Sequence, residues 1–187
     1  LPISDRYVGF KRSLPSRSED VLGWLPRKAR AAARNAENRH RLTSEFGRHH
    51  LRAVWKLYCR SMRRLGSLSY PYAFFEGLVD RCPHDSFVQV VRREGRIIGG
   101  LLSFRHRETF LPYFVGCDER YNRLQTNNYL YMTAMRKAVV VGCREFDFGR
   151  TRADNQGSYD FKRFHGFEPR RLAYQRWITS GNKAPDL

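Results

Sequence analysis

This chain of 187 residues is short of acid, of closely spaced cysteines and of long apolar runs, and each shortage removes a class of protein. Its 18 Asp and Glu stand against 35 Lys and Arg, which leaves a formal charge of +17. Such a surface draws polyanions: RNA, phosphorylated sugar carriers or an anionic membrane face. The four cysteines, Cys59, Cys82, Cys117 and Cys143, include no pair at metal-ligand spacing. His49-His50 has no complementary cluster, so no metal site is expected. No nucleophile stands beside a base at usable spacing, and a covalent intermediate is not indicated. No secretory signal opens the sequence, and no apolar run reaches the roughly 18 residues a membrane span needs. Reduced thiols in a cytoplasmic protein are the economical reading. The chain opens on Leu1 rather than Met, which reads as the mark of a processed, truncated or partial chain.

What is present is enough for one well-cored domain, because 41% hydrophobic and 14% aromatic residues exclude wholesale disorder. Residues 1–20 hold prolines, serines and charges and read as an irregular opening segment; residues 21–187 read as a single domain. SEDVLGWLPRKARAAARNAENR reads as helix, with Ser18 as N-cap and a break at Pro26, which lacks the N–H a helix needs. Arg27, Arg30 and Arg34 share a face of its second half, suited to phosphate or RNA, or simply to solvent. HHLRAVWKLYCRSMRRLG is a second helix with an apolar stripe through Leu51, Val54, Trp55, Leu57, Tyr58, Met62 and Leu65, stopped by Gly66. SYPYAFFEGLVDRC is a third, turning Phe74, Phe75, Leu78 and Val79 inward.

The apolar period then changes. Three runs near 86–92, 96–105 and 109–117, joined at Glu94-Gly95 and Arg107-Glu108, make an antiparallel meander. Gly99-Gly100 marks a bulge or a close backbone approach. TNNYLYMTAMRKAVVVG follows as a helix buried nearly all round, capped by Thr126 or Asn127 and ended at Gly142. CREFDFG is a brief strand, DNQGSYDFKRFHG a loop and short helix, and FEPRRLAYQRWI a last strand. The order gives an α/β (α+β) fold with a mixed central sheet preceded by basic helices, not a doubly wound one.

Asp147 alternates with Phe146 and Phe148 and faces away from the rings, either to accept a proton, to pair with Arg150 or to cap a loop. Arg150, placed just beyond the strand, is suited to a phosphate or carboxylate. Tyr113 and Tyr159 are candidate substrate-binding residues, with core or rim packing as the plainer alternative.

The order of elements resembles the acetyl-coenzyme-A-dependent N-acetyltransferase (GNAT) fold. That family places Gln/Arg-x-x-Gly-x-Gly/Ala at the N-terminus of the helix after the meander, where backbone N–H groups close on a pyrophosphate. Here the place reads RLQTNNY: Gln125 stands for the first residue, Asn127 and Asn128 stand in the turn, and no glycine occurs between Gly116 and Gly142. FDFGR…GSYDFKRFHGFEP, with LPRKARAAARNAEN, MRRLGSLSYP and PYFVG, resembles the FemAB-like acyl and aminoacyl transferases from about Leu14 to Tyr174. The likeness is greatest to the branch associated with exosortase and exopolysaccharide systems. Thr151-Arg152 depart from that branch's Ser-Lys, and Asn155-Gln156 stand near where a Thr is usual.

This resemblance implies an N-acyltransferase that joins an acyl or aminoacyl group to an amine on a cell-envelope or exopolysaccharide precursor. Aminoacyl-tRNA or an acyl thioester such as acyl-CoA would be the donor. It implies further that the chain is the C-terminal half of a tandem-domain protein whose N-terminal half builds much of the acceptor site. The family's Phe-Lys pair falls on Phe161-Lys162, whose ammonium would stabilise an oxyanion. Read without the family, Lys162 is a solvated helix residue paired with Asp160 or Asp147. Two alternatives stand beside this reading: an acetyl-CoA-dependent GNAT N-acetyltransferase, and a non-catalytic basic module for RNA or another polyanion.

Overall fold

The computed structural model describes residues 6–172. Its centre is a seven-stranded mixed sheet. In chain order the elements are β1 (Tyr7–Ser13), α1 (Val21–Trp24), α2 (Arg27–Arg34), β2 (Thr43–Phe46), α3 (Leu51–Arg64), α4 (Tyr72–Arg81), β3 (Ser86–Arg93), β4 (Arg96–His106), β5 (Thr109–Cys117), α5 (Thr126–Val140), β6 (Glu145–Arg152), α6 (Gln156–Phe164) and β7 (Pro169–Arg171). The strand order across the sheet is β2-β3-β4-β5-β6-β1-β7.

The meander forms as its turn residues dictate: Glu94 and Gly95 both hold positive φ, the backbone a two-residue hairpin turn needs. Val88 and Val90 of β3 face one layer, with Leu51, Val54, Tyr58 of α3 and Phe75, Val79 of α4. Val91 faces the other, a larger core built on α5 with α1, α2, Phe10, Phe146 and Phe167. The alternation of one strand thus feeds two cores on opposite faces of the sheet. Gln89, fully buried, anchors α5 through Nε2, which donates to Thr133 Oγ1 (2.6 Å) and Leu130 O (3.2 Å).

Gly116 is where α3 lies flat on β5. A Cβ there would stand 2.3 Å from the Leu57 carbonyl carbon, so only glycine lets these two backbones meet. Gly100 has the same role more mildly, 3.1 Å from Val54 Cα. The close approach expected at Gly99-Gly100 is present, and a bulge lies beside it in the same strand: Val91 pairs with Gly99 and Arg92 with Ile97, which makes Ile98 the extra residue of β4.

Several expectations are corrected. Residues 7–13 are not irregular: β1 pairs with β6 and β7 inside the sheet. Ser18 opens a 3-10 turn and caps no helix, although Pro26 does break α1 from α2. A short edge strand, β2, follows the helical run. Leu65 and Phe74 lie exposed rather than inward, because α3 ends at Arg64 and α4 turns Phe75 and Val79 to the core. The N-cap of α5 is Gln125, in left-handed backbone, not Thr126 or Asn127. β6 runs on to Arg152, so Arg150 lies within the strand. The last strand is described only over Pro169–Arg171; its remainder, with Tyr174, lies outside the described residues.

Candidate active site

β5 and β6 run parallel but pair only at Thr109↔Glu145 and Phe110↔Phe146. Beyond those rungs the two strands part, and a cleft of about 270 Å³ opens between Leu111, Pro112, Tyr113 on one wall and Asp147, Phe148, Gly149, Arg150 on the other. Strands that part leave backbone donors and acceptors on facing edges with no ladder partner, ready for an extended amide-bearing chain.

A bulge shapes each wall. Ser103 pairs with Pro112 and Leu102 with Phe114, which makes Tyr113 the extra residue of β5, with its side chain turned to solvent. On β6, Gly9 pairs with Arg150 and Lys11 with Asp147, so Phe148 and Gly149 together oppose Phe10. Gly149 takes a φ of +70°, and its N–H donates to Asp147 Oδ1 at 2.7 Å. Asp147 therefore commits one carboxylate oxygen within its own strand. It fixes the bulge.

Behind this wall lies Lys162, only 7% exposed. Its Nζ donates to Phe148 O (3.0 Å) and Gly149 O (3.4 Å) and bonds Thr151 Oγ1 (2.5 Å). The rings of Phe10 and Phe148 flank the ammonium with centroids at 5.3 and 5.7 Å. Burial pulls the ammonium down to about 8, opposed by the negative charge of Asp147. The solvated-residue reading fails on this burial, and Asp160 is engaged instead by Gln156 Nε2 at 2.7 Å. As placed, the ammonium grips the wall of the cleft rather than standing in it.

His165, one turn further along the same face of α6, is fully buried against Phe161 (4.5 Å between centroids), Phe148 and Tyr131. Its Nδ1–H donates to Phe161 O at 2.8 Å, which places the ring proton on Nδ1, and burial lowers its pKa to about 4, which keeps the ring neutral at pH 7. Phe161 itself is a wedge between Tyr131 and His165. Tyr159 meets Phe10 edge-on at 5.3 Å, a core contact rather than a cleft one.

The first turn of α5 is a separate place. Gln125 Oε1 accepts from Asn128 Nδ2 (2.7 Å), and Asn127 Oδ1 accepts from the Cys117 thiol (3.0 Å), which burial pushes up to about 12. Gln125, Asn127 and Asn128 are thus bonded among themselves or inward, and none lines the cleft. Arg27 and Arg34 are exposed and Arg30 half-buried on α2; none of these lines the cleft either. Sequence reasoning named Tyr113, Asp147 and Arg150, which the cleft brings together. It missed Phe148, Gly149, Thr151 and His165. Thr151 had a usable signal: it departs from the branch's Ser but keeps the hydroxyl that Lys162 requires.

Comparison with known proteins shows the family and the fold. The family model described as an acetyltransferase (GNAT) domain matches residues 24–163, and the chain belongs to that family. It is a GNAT-type acyltransferase domain. The fold is similar to that in the crystal structure of FemX, with a TM-score of 0.78 at 15% identity over 88% of this chain and 59% of that one. It is similar also to the C-terminal domain of a putative lysylphosphatidylglycerol synthetase from Agrobacterium fabrum (TM-score 0.63, 14% identity, 88% of this chain, 57% of that one). An aminoglycoside acetyltransferase, meta-AAC0020, from an uncultured soil metagenomic sample matches at TM-score 0.59 and 15% identity, over 76% of this chain and 99% of that one. The chain therefore spans somewhat less than three-fifths of the first two structures it resembles. No curated protein sequence matches it. Among the described residues no three or more His, Cys, Asp or Glu side chains gather as they would around a metal ion, and no helix is long and apolar enough to cross a membrane.

Proposed function

We propose that this domain moves an aminoacyl or other acyl group from an activated carbonyl donor to an amine on a cell-envelope or exopolysaccharide precursor, in the manner of the FemAB-like transferases. The observation that carries the reading is the wedge between β5 and β6, bulged on both walls and backed on one by a buried ammonium. In the transfer, the amine nitrogen attacks the donor's carbonyl carbon. The N–C bond forms, the C–O or C–S bond of the donor breaks, and the alcohol or thiol leaves with the proton the amine gives up. Facing backbone edges hold an extended donor in line, which removes the entropy of encounter from the barrier. A carbonyl oxygen turning negative in the wedge feels the Lys162 charge across one peptide group, in surroundings that screen it little. Arg150 on the same wall suits a phosphate or carboxylate of the precursor, and Asp147 suits the incoming ammonium.

The first turn of α5 supports aminoacyl-tRNA over coenzyme A as donor. Asn128 and Gln125 close on each other where a glycine turn would leave N–H groups open to a pyrophosphate. The charge of +17 suits a polyanionic donor. The shares of 59% and 57% support a place within a longer protein, and an N-terminal half that completes the acceptor site rests on the motifs. The exosortase-associated assignment rests on the motifs alone, and the cytoplasmic placement on the sequence.

Two titrations test this. Calorimetry with coenzyme A should give no saturable heat in the micromolar range, and charged tRNA should bind and release its labelled aminoacyl group to envelope precursors. Clear micromolar coenzyme A binding overturns the donor. Salt-steep binding of any RNA, with no transfer and no effect of Lys162→Ala, returns the domain to a polyanion-binding module.

A further inference from the structure

Six exposed large apolar side chains occur among the described residues, and five of them share one region: Leu65 (63% exposed), Leu68 (96%), Tyr70 (51%), Phe74 (40%) and Tyr113 (66%). The three aromatics are joined physically, and Leu65 and Leu68 lie on the chain that leads into Tyr70. Tyr70 stacks on Phe74 at 4.6 Å, both lie within 6.3 Å of Phe114, and Phe114 lies 5.1 Å from Tyr113 at the cleft mouth. The loop is held firmly, because Trp55 Nε1 donates to Tyr70 O at 3.0 Å. An apolar surface maintained by such contacts in water marks an interaction site.

The charge beside it says what kind. From Gly47 to Phe75 the chain contains no Asp or Glu and six Lys or Arg. Arg52, Lys56, Arg60, Arg63 and Arg64 are all exposed and share about a third of the circumference of α3, which leads directly into the apolar loop. A second copy of this chain, with the same cations, would be repelled there. Single-stranded RNA would need open ring faces, yet Tyr70 and Phe74 cover each other, and Leu65 and Leu68 offer no face to a base. Aliphatic tips and tyrosine beside a basic helix match the chemistry of a lipid–water boundary.

We propose that this face docks the protein on an anionic phospholipid surface, with Leu65, Leu68 and Tyr70 in the headgroup boundary and the α3 cations on the headgroups. The docked orientation brings Tyr113, and with it the mouth of the cleft, to the bilayer. The docking does not depend on the acyl-transfer reading, and a failed transfer assay leaves it standing.

The test is sedimentation of the whole chain with vesicles of phosphatidylcholine alone or with about 30% phosphatidylglycerol. The protein should bind the anionic vesicles and be largely released between about 0.05 M and about 0.5 M salt. Leu65→Ser/Leu68→Ser retains every charge and alters only exposed side chains, so it should fold as the wild type, checked by circular dichroism, and bind about tenfold more weakly or worse. Equal binding by this variant overturns the proposal, leaving only diffuse charge attraction. Equal pelleting with both vesicle types overturns it too. So does a dimer in ultracentrifugation that the double variant abolishes, or tight binding of a single-stranded RNA oligonucleotide that Tyr70→Ala weakens and the leucine variant does not.

Discussion

Lys162→Met removes an ammonium that is 7% exposed and bonded to three oxygens of β6, while keeping most of the side chain's volume. Two opposed effects follow. Leaving Phe148 O and Gly149 O without a donor costs about 1–3 kcal/mol for each buried group. Against this, the wild type holds a charge out of water, and the descent of its pKa from 10.5 to about 8 measures that cost as about 3 kcal/mol. At pH 7 the two nearly offset, and the variant should lie within about 2 kcal/mol of the wild type. The pH dependence separates them. Between pH 8 and 10.5 the unfolded chain still binds the lysine proton and the folded chain has lost it, so stability rises with pH across that window. Neutral Lys162 keeps two N–H donors for the carbonyls and can accept from the Thr151 hydroxyl. Urea denaturation of both proteins at pH 7, 9 and 10.5 reads the difference, in which titrations common to both cancel. The wild type should gain about 3 kcal/mol on the variant from the lowest to the highest pH. A difference constant across the series would show an ordinary solvated lysine and refute the placement.

His165 makes the corresponding prediction in acid. With its folded pKa at about 4 against 6.5 unfolded, stability should fall by about 3 kcal/mol as pH drops through that window. His165→Phe should lack this component; a wild-type-minus-variant difference that is flat from pH 7 to pH 4 in denaturation experiments rules it out. Gly116→Ala sets a methyl against backbone atoms of Leu57 and Tyr58 that have no rotamer to escape by. A cost of about 3 kcal/mol and a loss of about 10 °C in Tm should follow; a melting scan within about 2 °C of the wild type would refute the flat packing of α3 on β5.

The meander, the helix α5 and its end at Gly142 were legible because each rests on a local signal: turn residues, period, a positive-φ glycine. β1 was not, since only Phe10 of its seven residues is buried and its basic neighbours read as an opening segment. What makes it a strand is tertiary, the free edges of β6 and β7. β2 is four residues long with one aromatic, too short for any period to register. In the site, Asp147 was visible as a polar residue between two phenylalanines, Arg150 as a cation beside that run, and Tyr113 as an aromatic of the third apolar run. The burial of Lys162 was not legible, because Asp160 and Arg163 beside it suggest a solvated turn. The better signal was spacing: Tyr159, Lys162 and His165 recur every third residue on one face, and that face is the buried one.

A fold has reason to bury a charge there only if something else would be worse. In a regular strand consecutive carbonyls point to opposite sides, and each meets a neighbouring strand. At the β6 bulge, with Gly149 at φ +70°, two consecutive carbonyls, Phe148 O and Gly149 O, converge on one point where β6 is out of register with β1 and parted from β5. A side chain with several N–H groups and a long apolar stem is the group that fits, and Lys162 brings three donors between two phenyl rings. The bulge that steers β6 away from β5 and the lysine beneath it are therefore one device. The wedge exists because the bulge bends the strand, and the bulge is tolerable because Lys162 answers its carbonyls. A positive charge behind the wall where an acyl oxygen would lie then follows from how the sheet parts, before any demand from catalysis.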